Sequence, residues 1–115
     1  MVVGRGGLTD AEVDRIFRAL ADATRRDIVR RTLRGDETVS QLAQDYAMSF
    51  AAVQKHVAVL ETAGLVTKQP QGRERLVRAN PAVIQRVQAL LDSYEQLWRS
   101  RIRRLDALLA DDEEH

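Results

Sequence analysis

At 115 residues the chain has room for one folded domain, and a formal charge of +1 gives no bulk attraction toward an acidic or a basic partner. Cysteine is absent, which excludes disulfides, thiolate catalysis, thiol redox sensing and cysteine-based zinc sites together. No stretch reads as a signal peptide or a membrane span, so a reducing cytoplasm is the expected compartment.

Residues 1–8 hold three glycines and little to bury, and are expected as a flexible arm ahead of one domain over 9–110. Thr9 and Glu12 have capping-box spacing, and Val13, Ile16, Phe17 and Leu20 then form the apolar stripe of a first helix ending near Leu20. Asp22 caps a second helix that Gly35 stops, with Ile28, Val29 and Leu33 expected inside. Its arginines, Arg25, Arg26, Arg30, Arg31 and Arg34, read mainly as solvated or ion-paired surface, with one or two reaching phosphate.

Thr38 and Gln41 repeat the capping-box spacing and open a short third helix, with Val39, Leu42 and Ala43 inward and an end near Tyr46. Ala47 and Met48 lead directly to Ser49, the N-cap of a fourth helix that Gly64 closes. Val53, Val57, Leu60 and Ala63 give this helix a core stripe. Its other side carries Phe50, Ala51, Gln54, Lys55 and Ala58, a small polar face with no acid to repel phosphate before Glu61. By itself such a face also fits a solvated surface helix. Following a short helix and a tight turn, it makes the second helix of a helix-turn-helix, which reads the major groove from 49–63 while the first braces it and touches backbone. His56 sits on the boundary between the two faces, and packing or a phosphate contact both fit it.

After Gly64 the apolar period changes. Leu65, Val66 and Thr67 read as a strand, Pro70, Gln71 and Gly72 as a turn, and Leu76 and Val77 as a returning strand, which together make a wing over 68–78. Arg73 and Arg75 are expected two apart on one face of the return strand, with Lys68 approaching from the other. A solvated edge strand blunted by charge is the competing account. Residues 48–78 hold Lys55, Lys68, Arg73, Arg75 and Arg78 against Glu61 and Glu74, a local excess of base.

Asn80 and Pro81 open a last helix whose apolar positions recur for nearly thirty residues, roughly 40 Å at the helical rise. That is longer than so small a body covers, so Val87, Leu91, Tyr94, Trp98, Ile102 and Leu105 are expected at a homodimer interface. Residues 111–115 are set apart as an acidic tail.

FRALADATRRDIVR, VSQLAQDYAMS and AAVQKHVAVLETAGLV carry a resemblance, over about Ile16 to Leu109, to the ArsR family of bacterial regulators and to its metal-independent autorepressor branch. The resemblance implies a winged helix-turn-helix, mainly α with a small β-hairpin (α-α-α-α-β-β-α), with long N- and C-terminal dimerisation helices. It implies a homodimeric transcriptional repressor, acting on its own operon in the autorepressor case, with double-stranded operator DNA as partner. The candidate DNA-binding residues are Thr38, Gln41, Ser49, Phe50, Ala51, Gln54, Lys55, His56, Lys68, Arg73 and Arg75. Three positions depart from the family pattern: Gln54 stands where Ser is common, Ala51 where similar members have Pro, and Val57 where Leu is common, the last a core change only. The longer Gln amide reaches more of a base edge, so the operator of relatives does not transfer. Metal-sensing members carry Cys pairs on the third helix or Asp and His ligands on the last. Here the third helix reads Ser40, Gln41, Leu42, Ala43, Gln44, and the last holds no histidine before His115, so no metal or other cofactor is expected.

Two other classes are weighed against the regulator. A protein-interaction winged-helix module without specific DNA readout would use the wing and long helix for docking, and the acid-free face with Lys55, Arg73 and Arg75 argues against it. An enzyme would need a nucleophile and base, and His56 is the only imidazole within the expected domain.

Overall fold

The computed structural model describes residues 7–114, so the arm is described only at its end, where Leu8 is buried in the core and belongs to the domain. Five helices and three strands follow: α1 (Asp10–Leu20), α2 (Ala23–Arg34), β1 (Glu37–Thr38), α3 (Val39–Gln44), α4 (Phe50–Thr62), β2 (Val66–Gln71), β3 (Glu74–Ala79) and α5 (Pro81–Glu114). Four helix starts have the expected caps. Thr9 with Glu12 and Thr38 with Gln41 close reciprocal capping boxes, while Asp22 and Ser49 accept the backbone N–H three residues on. The end of α4 is a Schellman motif. Gly64, at φ +78, donates to the Glu61 carbonyl, and Leu65 donates to that of Leu60.

Ile16 and Ala19 of α1, Ile28 and Val29 of α2, Leu42 of α3, Val53, Val57 and Leu60 of α4, and Leu65, Val66 and Val77 from the sheet side meet in one core. Two expectations about it are corrected. Leu33 is 48% exposed, because the buried line of α2 runs Ile28, Val29, Thr32 and leaves Leu33 turned about a quarter of a helical turn away. Thr32 is tolerated inside because its hydroxyl donates to the Ile28 carbonyl at 2.8 Å. Phe17, placed in the stripe of α1, is also largely exposed.

The wing is part of a three-stranded antiparallel sheet in the order β1-β3-β2, and β1 went unforeseen. Glu37 pairs with Val77 and Thr38 with Leu76, so the wing is stitched to the segment that enters α3. The turn is tighter than expected. Pro70 and Gln71 lie inside β2, opposite Arg75 and Glu74, and only Gly72 and Arg73 turn the chain. Gly72 takes φ +62, as the first central residue of a two-residue hairpin can when it is glycine. Pro70 is admissible because β2 is an edge strand, where a missing N–H costs no ladder bond.

The last helix, at 34 residues, runs about 50 Å and makes the molecule 75 × 31 × 20 Å. It continues through the acidic run, so residues 111–114 extend the helix, and His115 lies outside the described residues.

Candidate nucleic-acid interface

Burial sets the roll of α4. Val53, Val57 and Leu60 are buried, and this turns Phe50, Ala51, Gln54, Lys55 and Ala58 to the surface. Ser49, at the cap, is exposed too, and although its oxygen accepts from the Ala52 N–H at 3.1 Å its O–H is still a donor. The exposed N-terminal half of α4 therefore offers a hydroxyl, an amide, an ammonium and an aromatic ring, with no acid in its first turn.

The two candidates on the preceding element fare differently. Thr38 is only 7% exposed; its hydroxyl accepts from the Gln41 N–H and its backbone pairs with Leu76, so it is structural and out of a groove's reach. Gln41 is exposed, but its amide oxygen accepts from the Thr38 N–H at 2.8 Å, which leaves the NH₂ as its free end.

Ion pairing thins the expected basic face. Lys68 lies 3.5 Å from Glu61, which ties β2 to the end of α4, and Arg78 lies 3.0 Å from Asp36. Among the described residues Lys55, Arg73 and Arg75 make no ion pair, and all three are exposed. Arg73 occupies the turn itself and Arg75 the first rung of the ladder but one, so the cations share the wing tip without being neighbours on one strand face.

Two arginines of α2, Arg31 and Arg25, reach the helix-turn-helix. Arg31 donates from Nε to Glu37 at 2.9 Å and from Nη2 to its other oxygen at 2.5 Å, reaches Asp45 at 2.8 Å, and stacks 5.5 Å from the centre of the Tyr46 ring. His56 is half-buried, and its Nδ1 lies 3.2 Å from Nη1 of Arg25. Sequence reasoning left Arg25 among surface arginines, because nothing local announces a contact across 31 positions.

The helix-turn-helix core, residues 22–68, matches the family described as "Bacterial regulatory protein, arsR family". Over 81 residues the chain is 41% identical to the HTH-type transcriptional regulator Rv2034 of Mycobacterium tuberculosis, covering 70% of this chain and 76% of that one. The chain belongs to the ArsR family. Its fold agrees with the crystal structure of an ArsR family transcriptional regulator, RHA00566, at TM-score 0.76 and 36% identity, covering 80% of this chain and 95% of that one. It is also similar to the solution structure of a homodimeric winged helix-turn-helix DNA-binding domain from Mycobacterium bovis, a possible ArsR-family regulator, at TM-score 0.61 and 23% identity, over 78% and 89% of the two chains. The chain is thus a transcriptional regulator with an ArsR-type winged-helix DNA-binding domain. Among its described residues no helix is long and apolar enough to cross a membrane.

Proposed function

We propose that this ArsR-family chain is a homodimeric repressor that reads operator DNA in the major groove with the N-terminal half of α4 and holds backbone or minor groove with the wing. The observation that carries the reading is the outward, acid-free face of Ser49, Phe50, Gln54 and Lys55 on a helix whose opposite face is fixed in the core. A helix buried on one side presents the other in a single orientation, which base readout requires. Arg73 and Arg75 supply unpaired cations beside it, suited to phosphate.

The dimer rests on α5. Beyond Leu90 the helix leaves its own core, and Leu91, Tyr94, Trp98, Ile102 and Leu105 recur at steps of three and four, all exposed, with only the Arg101 guanidinium, among the described residues, lying over the Trp98 ring at 5.8 Å. Tyr94 and Trp98 are each 58% exposed. Apolar area of that extent on one helix asks for a second copy, and an isologous pair would present two α4 helices to two half-sites. Val87 is excepted from this interface, since it packs against its own core.

Titrating affinity for mixed-sequence duplexes against salt tests the reading. The logarithm of affinity should fall linearly with the logarithm of salt concentration, with a slope of several units for a dimer touching several phosphates. Binding only to a protein partner, with no salt-dependent association to any duplex, would replace this reading by the docking module.

A further inference from the structure

Arg25 is the third residue of α2, and its backbone N–H donates to the Asp22 cap at 3.0 Å. Its guanidinium folds back over the corner between α1 and α2. Nε donates to the Ala19 carbonyl at 2.7 Å and Nη2 to the Arg18 carbonyl at 3.1 Å, both in the last turn of α1, the second shared with the N–H of the Ala21 cap. Nη1 then points across to Nδ1 of His56, on α4, at 3.2 Å. One planar fork therefore joins three helices, and an ammonium, a compact charge without fixed directions, cannot reproduce it.

We infer that Arg25 is a positioning residue for DNA readout: through His56 it fastens α4 in the roll that its buried face sets, and it selects the neutral His56 tautomer protonated on Nε2. An arginine only donates, so Nδ1 of His56 must accept, and a neutral ring then carries its one proton on Nε2. His56 directly follows Gln54 and Lys55, so any turn of α4 that releases His56 also swings those two side chains. The only N–H the ring can offer a phosphate is Nε2–H, without a full positive charge. This rests on the proposal that α4 reads DNA. It also decides between packing and phosphate contact for His56: the first nitrogen packs, and the second alone is left for a ligand.

The charged groups around the ring are Arg25 and, at 4.0 Å from Nδ1, Asp22, both from the start of α2; Lys55 precedes it on α4, and Arg18 of α1 lies against α4 near Val59. Protonating Nδ1 would set N–H against N–H and break the fork.

The test uses the full chain without DNA, in which His56 and His115 are the only imidazoles and His115 serves as reference. Long-range proton–nitrogen spectra of the unmodified chain should show the neutral His56 ring with its proton on Nε2. In Arg25→Gln the His56 ring should no longer be held with its proton on Nε2 alone, so that both neutral tautomers appear. Affinity for a selected duplex should drop about tenfold, with Arg25→Lys restoring the fold but little of the affinity. A ring protonated on Nδ1 in the unmodified chain overturns the inference whether or not the variants fold. So does an Arg25→Gln chain whose His56 still carries its proton on Nε2 alone. A chain with the expected tautomer that binds no duplex would instead remove the DNA reading and leave the Arg25 hold on His56 standing.

Discussion

The Tyr46 hydroxyl donates to Asp27 Oδ2 at 2.5 Å, fastening the turn between α3 and α4 to the middle of α2. The bond holds the Asp27 carboxyl below the usual carboxylate range, with Arg30 helping and partial burial opposing. Burial, and then the bond to Asp27, push the Tyr46 phenol up to about 12. Tyr46→Phe should cost roughly 1–2 kcal/mol near neutrality, the value of a hydrogen bond to a charge that is still partly wet. The pH dependence has two limbs. The Asp27 contribution is complete above the ordinary carboxylate range and is lost as pH falls through its lowered value. The Tyr46 contribution is complete below about 10 and is lost as pH rises toward the folded value. Urea unfolding between about pH 3 and 11 should show the alkaline limb vanish and the acid limb shrink in Tyr46→Phe. Identical pH profiles would mean the bond does not form in solution.

Arg31→Lys should destabilise by about 1–2 kcal/mol although the charge is kept, because the paired bonds to Glu37 and the stacking on Tyr46 need a planar fork. Thermal melts of this variant beside Arg34→Lys, which alters an exposed arginine of the same helix, separate the two cases. Equal melting points would show that the Arg31 network contributes no more than ordinary surface charge.

Leu91→Ala and Trp98→Ala should each weaken self-association by about 2–4 kcal/mol, since each removes a large apolar side chain from the exposed α5 stripe, Leu91 where it begins and Trp98 at its middle. Sedimentation velocity across a concentration series is the measurement. An unmodified chain that stays monomeric at micromolar concentration would refute the α5 dimer.

Arg73→Ala or Arg75→Ala should lower affinity for all duplexes alike and reduce the salt slope by about one unit for each phosphate no longer neutralised. Lys68→Ala should move the slope less, because Lys68 already faces Glu61. If the three variants behave alike, the ion pair does not outlast the approach of phosphate.

What was legible in the sequence was local. Thr9 with Glu12, Asp22, Thr38 with Gln41, and Ser49 act within one helical turn, so spacing was enough to place four helix starts. What escaped depends on the rest of the chain. Two residues, Glu37 and Thr38, carry no period, and they become a strand only because β3 leaves an edge beside them. Pro70 reads as a turn until β2 proves to be an edge strand, and Leu33 reads as core until Thr32 takes the inward position with its hydroxyl satisfied. The polar face of α4 was legible because the phase of its core stripe is written in the same helix. The Arg25–His56 contact was not, since it joins two helices whose docking no single stretch encodes.

The most direct test of the α4 reading is selection of bound duplexes from a random pool, carried out with the unmodified chain and with Gln54→Ala. The unmodified chain should enrich a palindrome with half-sites about 10 base pairs apart, or a multiple of that, as two symmetric reading helices require. Gln54→Ala should lose preference at one position of each half-site, by about 1–3 kcal/mol, with the rest of the motif intact. No enriched motif, or one that Gln54→Ala leaves unchanged in every position, would contradict base readout by this face of α4.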